Sequence, residues 1–331
     1  MPEVWFQMVD KPTVISTFAG CGGSSLGYRL AGFRELLAVE WDDNAVATFK
    51  MNFPDVPVYH GDIARLTGAE CMNLAGGIKP GELDVLDGSP PCQGFSTAGK
   101  RKFDDPRNSL FREFARLIQE LQPRVFVMEN VTGMVKGCMK QAYLAIVATL
   151  RACGYRVKGE VLNAMYYNVP QSRERVIIIG VRNDLNIEPS HPKPQTRPIT
   201  VREAWVNVPD GTRCKRVSPA LAAVIPKIRP YEDGGDVTGK TFFSTKRLHW
   251  DKPGRTISKD MVGTRSAMVH PEEHRPITIP EARRLASFPD AFDFGDDYKN
   301  GIMRIGNSVP PNLMRAIAEH VKSNILDKAN A

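Results

Sequence analysis

Short apolar runs alternate with amphipathic stretches along roughly the first half of the chain. Seven runs bounded by turn residues predict seven strands. They are 13–18, 35–40, 56–59, 83–87, 124–128, 156–163 and 176–180. Stretches with helical spacing lie between them at 43–52, 109–121 and 140–152. This alternation indicates an open α/β sheet, whose chemistry lies at the carboxyl ends of its strands.

A glycine-rich turn follows the first strand. Gly20, Gly22 and Gly23 allow a tight turn and close approach of the backbone to a ligand. Glu40 lies twenty residues after Gly20, the usual position of an acid that hydrogen-bonds ribose hydroxyls. Turns of this kind also join strand to helix without a ligand, so the spacing leaves both interpretations open. The turn lacks GxGxxG and GKS/T, which disfavours pyrophosphate and NTP ligands.

The next two strand ends add further candidates. Trp41 follows Glu40 and is able to stack on a purine, although a lone tryptophan more often serves in packing. Asp62 and Ile63 follow the third strand. Three successive strand ends thus carry Gly20, Glu40 and Asp62, a set suited to a nucleoside without phosphate.

The fourth strand leads into Gly-Ser-Pro-Pro-Cys-Gln-Gly-Phe-Ser at 88–96. Pro90 and Pro91 restrict the backbone, so Cys92 has a stiff support. An arbitrary cysteine is usually a small buried apolar residue. Cys92 instead lies among polar, proline and glycine residues, which favours a reactive thiol. The basic stretch 94–108 is predicted to be a mobile lid that closes on a phosphate backbone.

Charged residues also flank the fifth and seventh strands. Glu129 follows four apolar residues, where a carboxylate is costly unless it is paired or functional. Arg173 and Arg175 are two residues apart and are predicted to point to the same side of an extended chain. Such arginines most often form salt bridges at a strand edge, so the spacing alone does not assign them a function.

The 331 residues are 42% hydrophobic and 24% charged, as in an ordinary globular protein. No apolar run has the length of a membrane span and residues 1–5 do not resemble a signal peptide, so we expect a cytoplasmic protein. The six cysteines form no CxxC pair and no zinc-ligand spacing. Neither disulfides nor a metal site are therefore expected.

The net charge of +7 is concentrated in one segment. Residues 185–274 hold 15 Lys and Arg against 10 Asp and Glu, and 10 of the 25 prolines. This composition marks a separate, irregular, basic unit, which is typical of a solvated surface or of a polyanion-binding region. Near repeats at 197–204 and 275–282 each contain Thr-x-x-Glu, which predicts two helices that begin with a capping box.

Five sequence blocks stand in the order seen in DNA cytosine-5 methyltransferases: 18–23, 90–96, 129–131, 171–175 and 306–311. The chain resembles the stand-alone bacterial or phage members of this family, apart from the basic insert. The resemblance implies an α/β, Rossmann-like S-adenosylmethionine-dependent methyltransferase fold with a mostly parallel seven-stranded sheet. It further implies a catalytic domain at 1–184, a target-recognition domain with a supporting helix at 185–302, and a returning C-terminal segment at 303–331. Ala286, in a helix predicted over 279–290, stands where the family commonly has Gln.

The resemblance also implies residue roles. Cys92 would attack C6 of cytosine, Glu129 would hydrogen-bond or protonate N3, and Arg175, with Arg173 beside it, would lie near O2. The methyl donor would be S-adenosylmethionine, with no metal. Its expected contacts are Phe18, Gly20, Gly22, Gly23, Glu40, Trp41, Asp62, Ile63, Pro90, Asn307 and Val309.

The partner that the resemblance implies is double-stranded DNA, with the target base flipped into the catalytic pocket. Candidate DNA contacts in the insert are Lys240, Lys246, Arg247, Arg255, Lys259 and Arg265. A cognate restriction endonuclease and a monomeric state are further expectations, without a membrane partner. Two alternatives remain, a tRNA cytosine-5 methyltransferase and a catalytically silent DNA-binding protein. The basic insert favours duplex DNA, and the presence of Cys92, Glu129 and Arg175 argues against a silent protein.

Overall fold

Seven strands form one sheet in the order β3-β2-β1-β4-β5-β7-β6 in a computed structural model. The structure describes residues 11–91, 109–136, 139–211, 214, 216–239 and 241–330. The strands are β1 (Thr13–Thr17), β2 (Arg34–Glu40), β3 (Val58–His60), β4 (Val85–Gly88), β5 (Val125–Val131), β6 (Tyr155–Asn163) and β7 (Glu174–Arg182). The first five pair in parallel, whereas β7 runs antiparallel to β5 and β6. The predicted mostly parallel sheet is confirmed.

Helices accompany the sheet and the insert. They are α1 (Gly23–Leu30), α2 (Asp43–Asn52), α3 (Gly68–Leu74), α4 (Ser109–Leu121), α5 (Lys140–Ala152), α6 (Val201–Ala204), α7 (Pro219–Val224), α8 (Gly234–Thr238), α9 (Ile279–Leu285), α10 (Tyr298–Asn307), α11 (Pro311–Val321) and α12 (Asp327–Ala329). None of the helices in the described ranges is long and apolar enough to cross a membrane.

Apolar side chains cover both faces of the sheet. Phe114 of α4 packs with Leu86 and Phe126 on one face, where the buried cluster also includes residues of α3 and α5. On the other face, residues of α1 and α11 pack against Val85 and Val127. The C-terminal segment therefore returns to the first half of the chain, and the sheet lies between two helical layers.

The insert has a small core of its own, made by residues of α7 and by apolar residues around two short parallel strands, β8 (Lys246–Arg247) and β9 (Met268–Val269). A further core joins Phe49 and Phe53 of the sheet domain to Trp205, Leu248 and Leu285. The base of the insert therefore packs against the region that follows the glycine turn.

Both capping boxes predicted for the insert are present. Thr200 and Thr278 cap α6 and α9, with Glu203 and Glu281 as their reciprocal partners. Helix α9 ends at Leu285, earlier than expected, and α10 crosses the predicted domain boundary at 302. The domain ranges stay a prediction.

Candidate active site

The glycine turn lies where β1 pairs with β2 on one side and with β4 on the other. Such a branch point leaves a crevice at the carboxyl ends of the strands, where α/β proteins bind ligands. Phe18 has a φ of 54° and Gly20 a φ of 56°, in the left-handed region. For Phe18 this conformation is strained, and strain of this kind is concentrated at functional sites.

The three glycines of the turn have different surroundings. A Cβ on Gly20 would meet no atom of the described residues within 4 Å, whereas one on Gly22 would lie 2.3 Å from the Phe53 ring. A Cβ on Gly23 would lie 2.3 Å from the carbonyl oxygen of Val309. Gly22 and Gly23 therefore permit close packing, and Gly20 faces open space that a ligand is able to occupy.

Glu40 holds this turn in place. One carboxylate oxygen accepts a hydrogen bond from the Gly20 amide at 2.8 Å. The other accepts from the amides of Trp41 and Asp42 at 2.8 and 2.9 Å. The Trp41 side chain is 75% exposed at the same edge of the sheet. An open aromatic face thus lies next to a buried, hydrogen-bonded carboxylate.

Asp62 begins the next short turn along this edge. Its carboxylate accepts a hydrogen bond from the Ala64 amide at 3.0 Å, while Ile63 is buried. The predicted strand-end set of Gly20, Glu40 and Asp62 therefore follows β1, β2 and β3, which are neighbours in the sheet.

Glu129 and Arg175 form an ion pair between the adjacent strands β5 and β7. Arg175 Nε lies 2.6 Å from Glu129 Oε1, and both side chains are nearly buried. The antiparallel register places Arg175 opposite Val131, two residues from Glu129, so both side chains lie on the same face. The structure therefore pairs the carboxylate that the sequence left without a partner.

The next residue along β5 connects this ion pair to the cysteine loop. The Asn130 side-chain amide donates to the Pro90 carbonyl oxygen at 2.9 Å. This bond fixes the chain two residues before Cys92. Cys92 and the predicted lid at 94–108 lie outside the described residues.

Arg173 does not contact Glu129 in the way that Arg175 does. Its buried guanidinium donates to the carbonyl oxygens of Ile257 at 2.8 Å, Gly306 at 2.8 Å and Ser308 at 3.0 Å. Burial, together with the charge of Arg175, lowers the pKa of Arg173 to about 9, so it remains charged at neutral pH. Arg173 therefore joins the insert to the C-terminal segment, and its expected place beside the catalytic centre stays a prediction.

The C-terminal segment closes the glycine turn from the other side. Val309 lies over Gly23, and the Ser308 hydroxyl lies 3.0 Å from the Cys21 thiol. Asn307 ends α10 with an exposed side chain. The sequence analysis predicted Asn307 and Val309 for this closure but missed Ser308. The one feature of the sequence that pointed to Ser308 was its position between the two.

A family model of C-5 cytosine-specific DNA methylases matches residues 12–217 and 232–323. The chain belongs to this family. It is 37% identical to the type II methyltransferase M1.HphI of Haemophilus parahaemolyticus, over 93% of this chain and 86% of that protein. It is 33% identical to the type II methyltransferase M.Eco47II of Escherichia coli, over 96% of this chain and 80% of that protein.

Solved structures agree with the family assignment. A putative DNA modification methyltransferase encoded within an E. coli prophage superposes with a TM-score of 0.80 and 27% identity, over 96% of this chain and all of that chain. Spodoptera frugiperda DNMT2 superposes with a TM-score of 0.68 and 18% identity, over 97% of this chain and all of that chain. This likeness shows the fold alone. The protein is therefore a DNA cytosine-5 methyltransferase, and this activity implies S-adenosylmethionine as methyl donor and DNA as substrate.

Not all predicted DNA contacts in this methyltransferase are free to reach DNA. Arg247 is buried, and its guanidinium donates to the carbonyl oxygens of Ile225, Ile228, His270, Pro271 and Glu273. The prediction for Arg247 is wrong because these bonds hold the small core of the insert together. Lys259 and Arg265 are exposed and Lys246 is half-buried, whereas Lys240 lies outside the described residues.

Proposed function

We propose that this enzyme methylates carbon 5 of a flipped-out cytosine through a covalent bond between Cys92 and C6. The observation that carries the proposal is the Glu129–Arg175 ion pair at the strand end next to Pro90. A carboxylate and a guanidinium held this way provide one hydrogen-bonding edge for a pyrimidine. The glycine turn opens at the adjacent crevice between β1 and β4.

The residues of the turn fit a nucleoside sulfonium donor. Gly20 leaves space among the described residues, Glu40 is held beside it by backbone amides as the proposed acceptor for ribose hydroxyls, and Trp41 offers an exposed face for adenine. When bound there, S-adenosylmethionine supplies the methyl group. The remaining contacts are proposed for Phe18, Gly22, Gly23, Asp62, Ile63, Pro90, Asn307 and Val309.

The Cys92 thiolate bonds to C6, and the electron pair of the C5–C6 double bond becomes available at C5. Glu129 donates a proton or hydrogen bond at N3, which stabilises the charge that develops in the ring. Arg175 orients Glu129 and lies near O2. After C5 has gained its methyl group, the C5 proton passes to water, its electron pair re-forms the C5–C6 double bond, and the sulfur–C6 bond breaks to release the thiolate.

Replacing Glu129 with glutamine is expected to lower kcat by about 100-fold, because the amide cannot deliver a proton to N3. Methyl incorporation at saturating DNA measures the effect. Glu174→Gln is the matched control, since Glu174 is the exposed neighbour of Arg175 and pairs only with Lys136 at 3.5 Å among the described side chains. Equal kcat values for the two variants would remove Glu129 from the mechanism.

Radiolabelled S-adenosylmethionine tests the substrate. We expect label in duplex DNA and none in tRNA, and bisulfite sequencing of DNA from an expressing host should show methylation at one short sequence. Label in tRNA alone would establish the alternative substrate.

The type II names of the relatives support a cognate restriction endonuclease that acts on the same sequence. We infer a monomer that works on the bacterial nucleoid.

A further inference from the structure

Tyr231 has a strained backbone in the insert. Its φ is 71°, in the left-handed region that bulky residues rarely adopt. Its amide donates to the Arg247 carbonyl oxygen at 3.1 Å, and its own carbonyl oxygen accepts from Arg255 Nη1 at 3.0 Å. Surrounding contacts thus hold this residue in a costly conformation, which is typical of functional positions.

Two cations lie over the Tyr231 ring. Lys252 Nζ is 4.2 Å from the ring centroid and Arg255 Cζ is 5.2 Å from it. Arg255 is neutralised by Asp233, whose Oδ1 lies 2.5 Å from Arg255 Nη1. Lys252 is exposed, and no carboxylate in the described part of the chain pairs with it. Lys252 therefore carries the positive charge that is available to a ligand, whereas Arg255 helps to hold the Tyr231 ring in position.

The Tyr231 hydroxyl adds a donor to this charge. No residue in the described ranges forms a hydrogen bond with it, although the hydroxyl belongs to a half-buried side chain. A phenol O–H and a lysine ammonium both donate to phosphate oxygens in protein–DNA contacts. The pair therefore matches an anionic oxygen ligand, with the ring providing an apolar wall.

The segment that carries the two cations also contacts the chain just before β7. Gly254 lies between Lys252 and Arg255, accepts from the Ser172 amide at 2.8 Å and donates to the Pro170 carbonyl oxygen at 2.9 Å. Arg175 of the ion pair follows Ser172 by three residues, about 10 Å of extended chain. Backbone bonds therefore hold this cluster next to the segment that leads into Arg175, where we expect the phosphates beside the target base to pass.

We propose that Lys252 and the Tyr231 hydroxyl bind one backbone phosphate of the DNA strand beside the flipped cytosine, with Arg255 as the positioning residue. The inference rests on the proposed function, because it places the target base at Glu129. A phosphate contact fixes the register of the duplex and does not read its sequence. It removes one counterion from DNA, so its signature is the salt dependence of binding.

The test is the affinity for a short duplex that carries the mapped target, measured between about 50 and 200 mM salt with S-adenosylhomocysteine present. For Lys252→Gln, the slope of log affinity against log salt should be less steep by about 0.9. Lys252→Arg should restore the slope. Tyr231→Phe, which keeps the ring, should weaken binding about ten-fold with the slope unchanged, since the lost hydrogen bond is to a charged phosphate but the lost donor is neutral.

Lys328→Gln is the matched control, because Lys328 is exposed in α12 and its replacement removes the same charge. If Lys252→Gln and Lys328→Gln both give the slope of the parent protein, the phosphate site is refuted. The site is refuted equally if Tyr231→Phe binds normally while Lys252→Arg fails to restore the slope. A parent protein that binds and methylates no DNA would instead refute the proposed function, so the two failures are distinguishable.

Discussion

The Cys92→Ala variant is expected to form no covalent adduct with DNA that contains 5-fluorocytosine, whereas the parent protein forms one. Fluorine at C5 cannot leave as the proton does, so the sulfur–C6 bond persists once the methyl group has been transferred. Turnover on ordinary DNA should fall by at least about 10⁴-fold, because the nucleophile is removed. Denaturing electrophoresis of labelled duplex detects the adduct, and methyl incorporation measures turnover.

Two buried cysteines are poor substitutes for this thiol. Burial raises the pKa of Cys21 to about 11 and that of Cys71 to about 12, so both remain protonated at neutral pH. Cys153→Ala is the matched control, since Cys153 is half-buried and its thiol donates to the Thr149 carbonyl oxygen within α5. An adduct that persists with Cys92→Ala, or one that disappears with Cys153→Ala, would show that the nucleophile has been misassigned.

Local patterns predicted most of the sheet domain. The observed bounds of α2, α4 and α5 match the predicted ranges. Apolar spacing and nearby turn residues determine these helix ends, and both are local features of the sequence. β5 extends three residues beyond its predicted end at Met128, since Glu129, Asn130 and Val131 pair with β7. The polar side chains of Glu129 and Asn130 concealed this end of the strand, which pairing with the distant β7 completes.

Two arginines have contacts that the sequence did not predict. Arg173 and Arg247 both end among backbone carbonyl oxygens supplied by distant segments. A basic residue in a basic insert, or close to Arg175, has the same sequence signature whether it binds a ligand or braces the fold. Buried carbonyl groups need donors, and no sequence pattern states which donor reaches them. The strand-end residues were predictable, since parallel strands bring their carboxyl ends to one edge.

A buried pair of acids lies beneath the glycine turn, and its chemistry is pH-dependent. Asp87 on β4 accepts a hydrogen bond from the Tyr28 hydroxyl at 3.3 Å, and Glu35 accepts one from the Ser25 hydroxyl at 2.8 Å. Burial raises the pKa of Asp87 to about 8 and that of Glu35 to about 7. Both acids are therefore substantially protonated in the folded protein near neutral pH, whereas the unfolded chain has already lost these protons.

Replacing Asp87 with asparagine is expected to stabilise the protein increasingly as the pH rises. Below the ordinary aspartate pKa of 3.8, parent and variant should have similar free energies of unfolding, since Asp87 is protonated in both states. Between that value and about 8, only the unfolded parent gains from ionisation, so the advantage of Asp87→Asn grows by about 1.4 kcal/mol per pH unit. Above pH 8 the advantage stays constant. Urea unfolding from about pH 4 to 9 measures this difference in free energy.

Asp55→Asn should show no such gain, because Arg29 lowers the pKa of this exposed carboxylate. Parallel profiles for the parent protein and Asp87→Asn would mean that the folded protein carries Asp87 as a charged group.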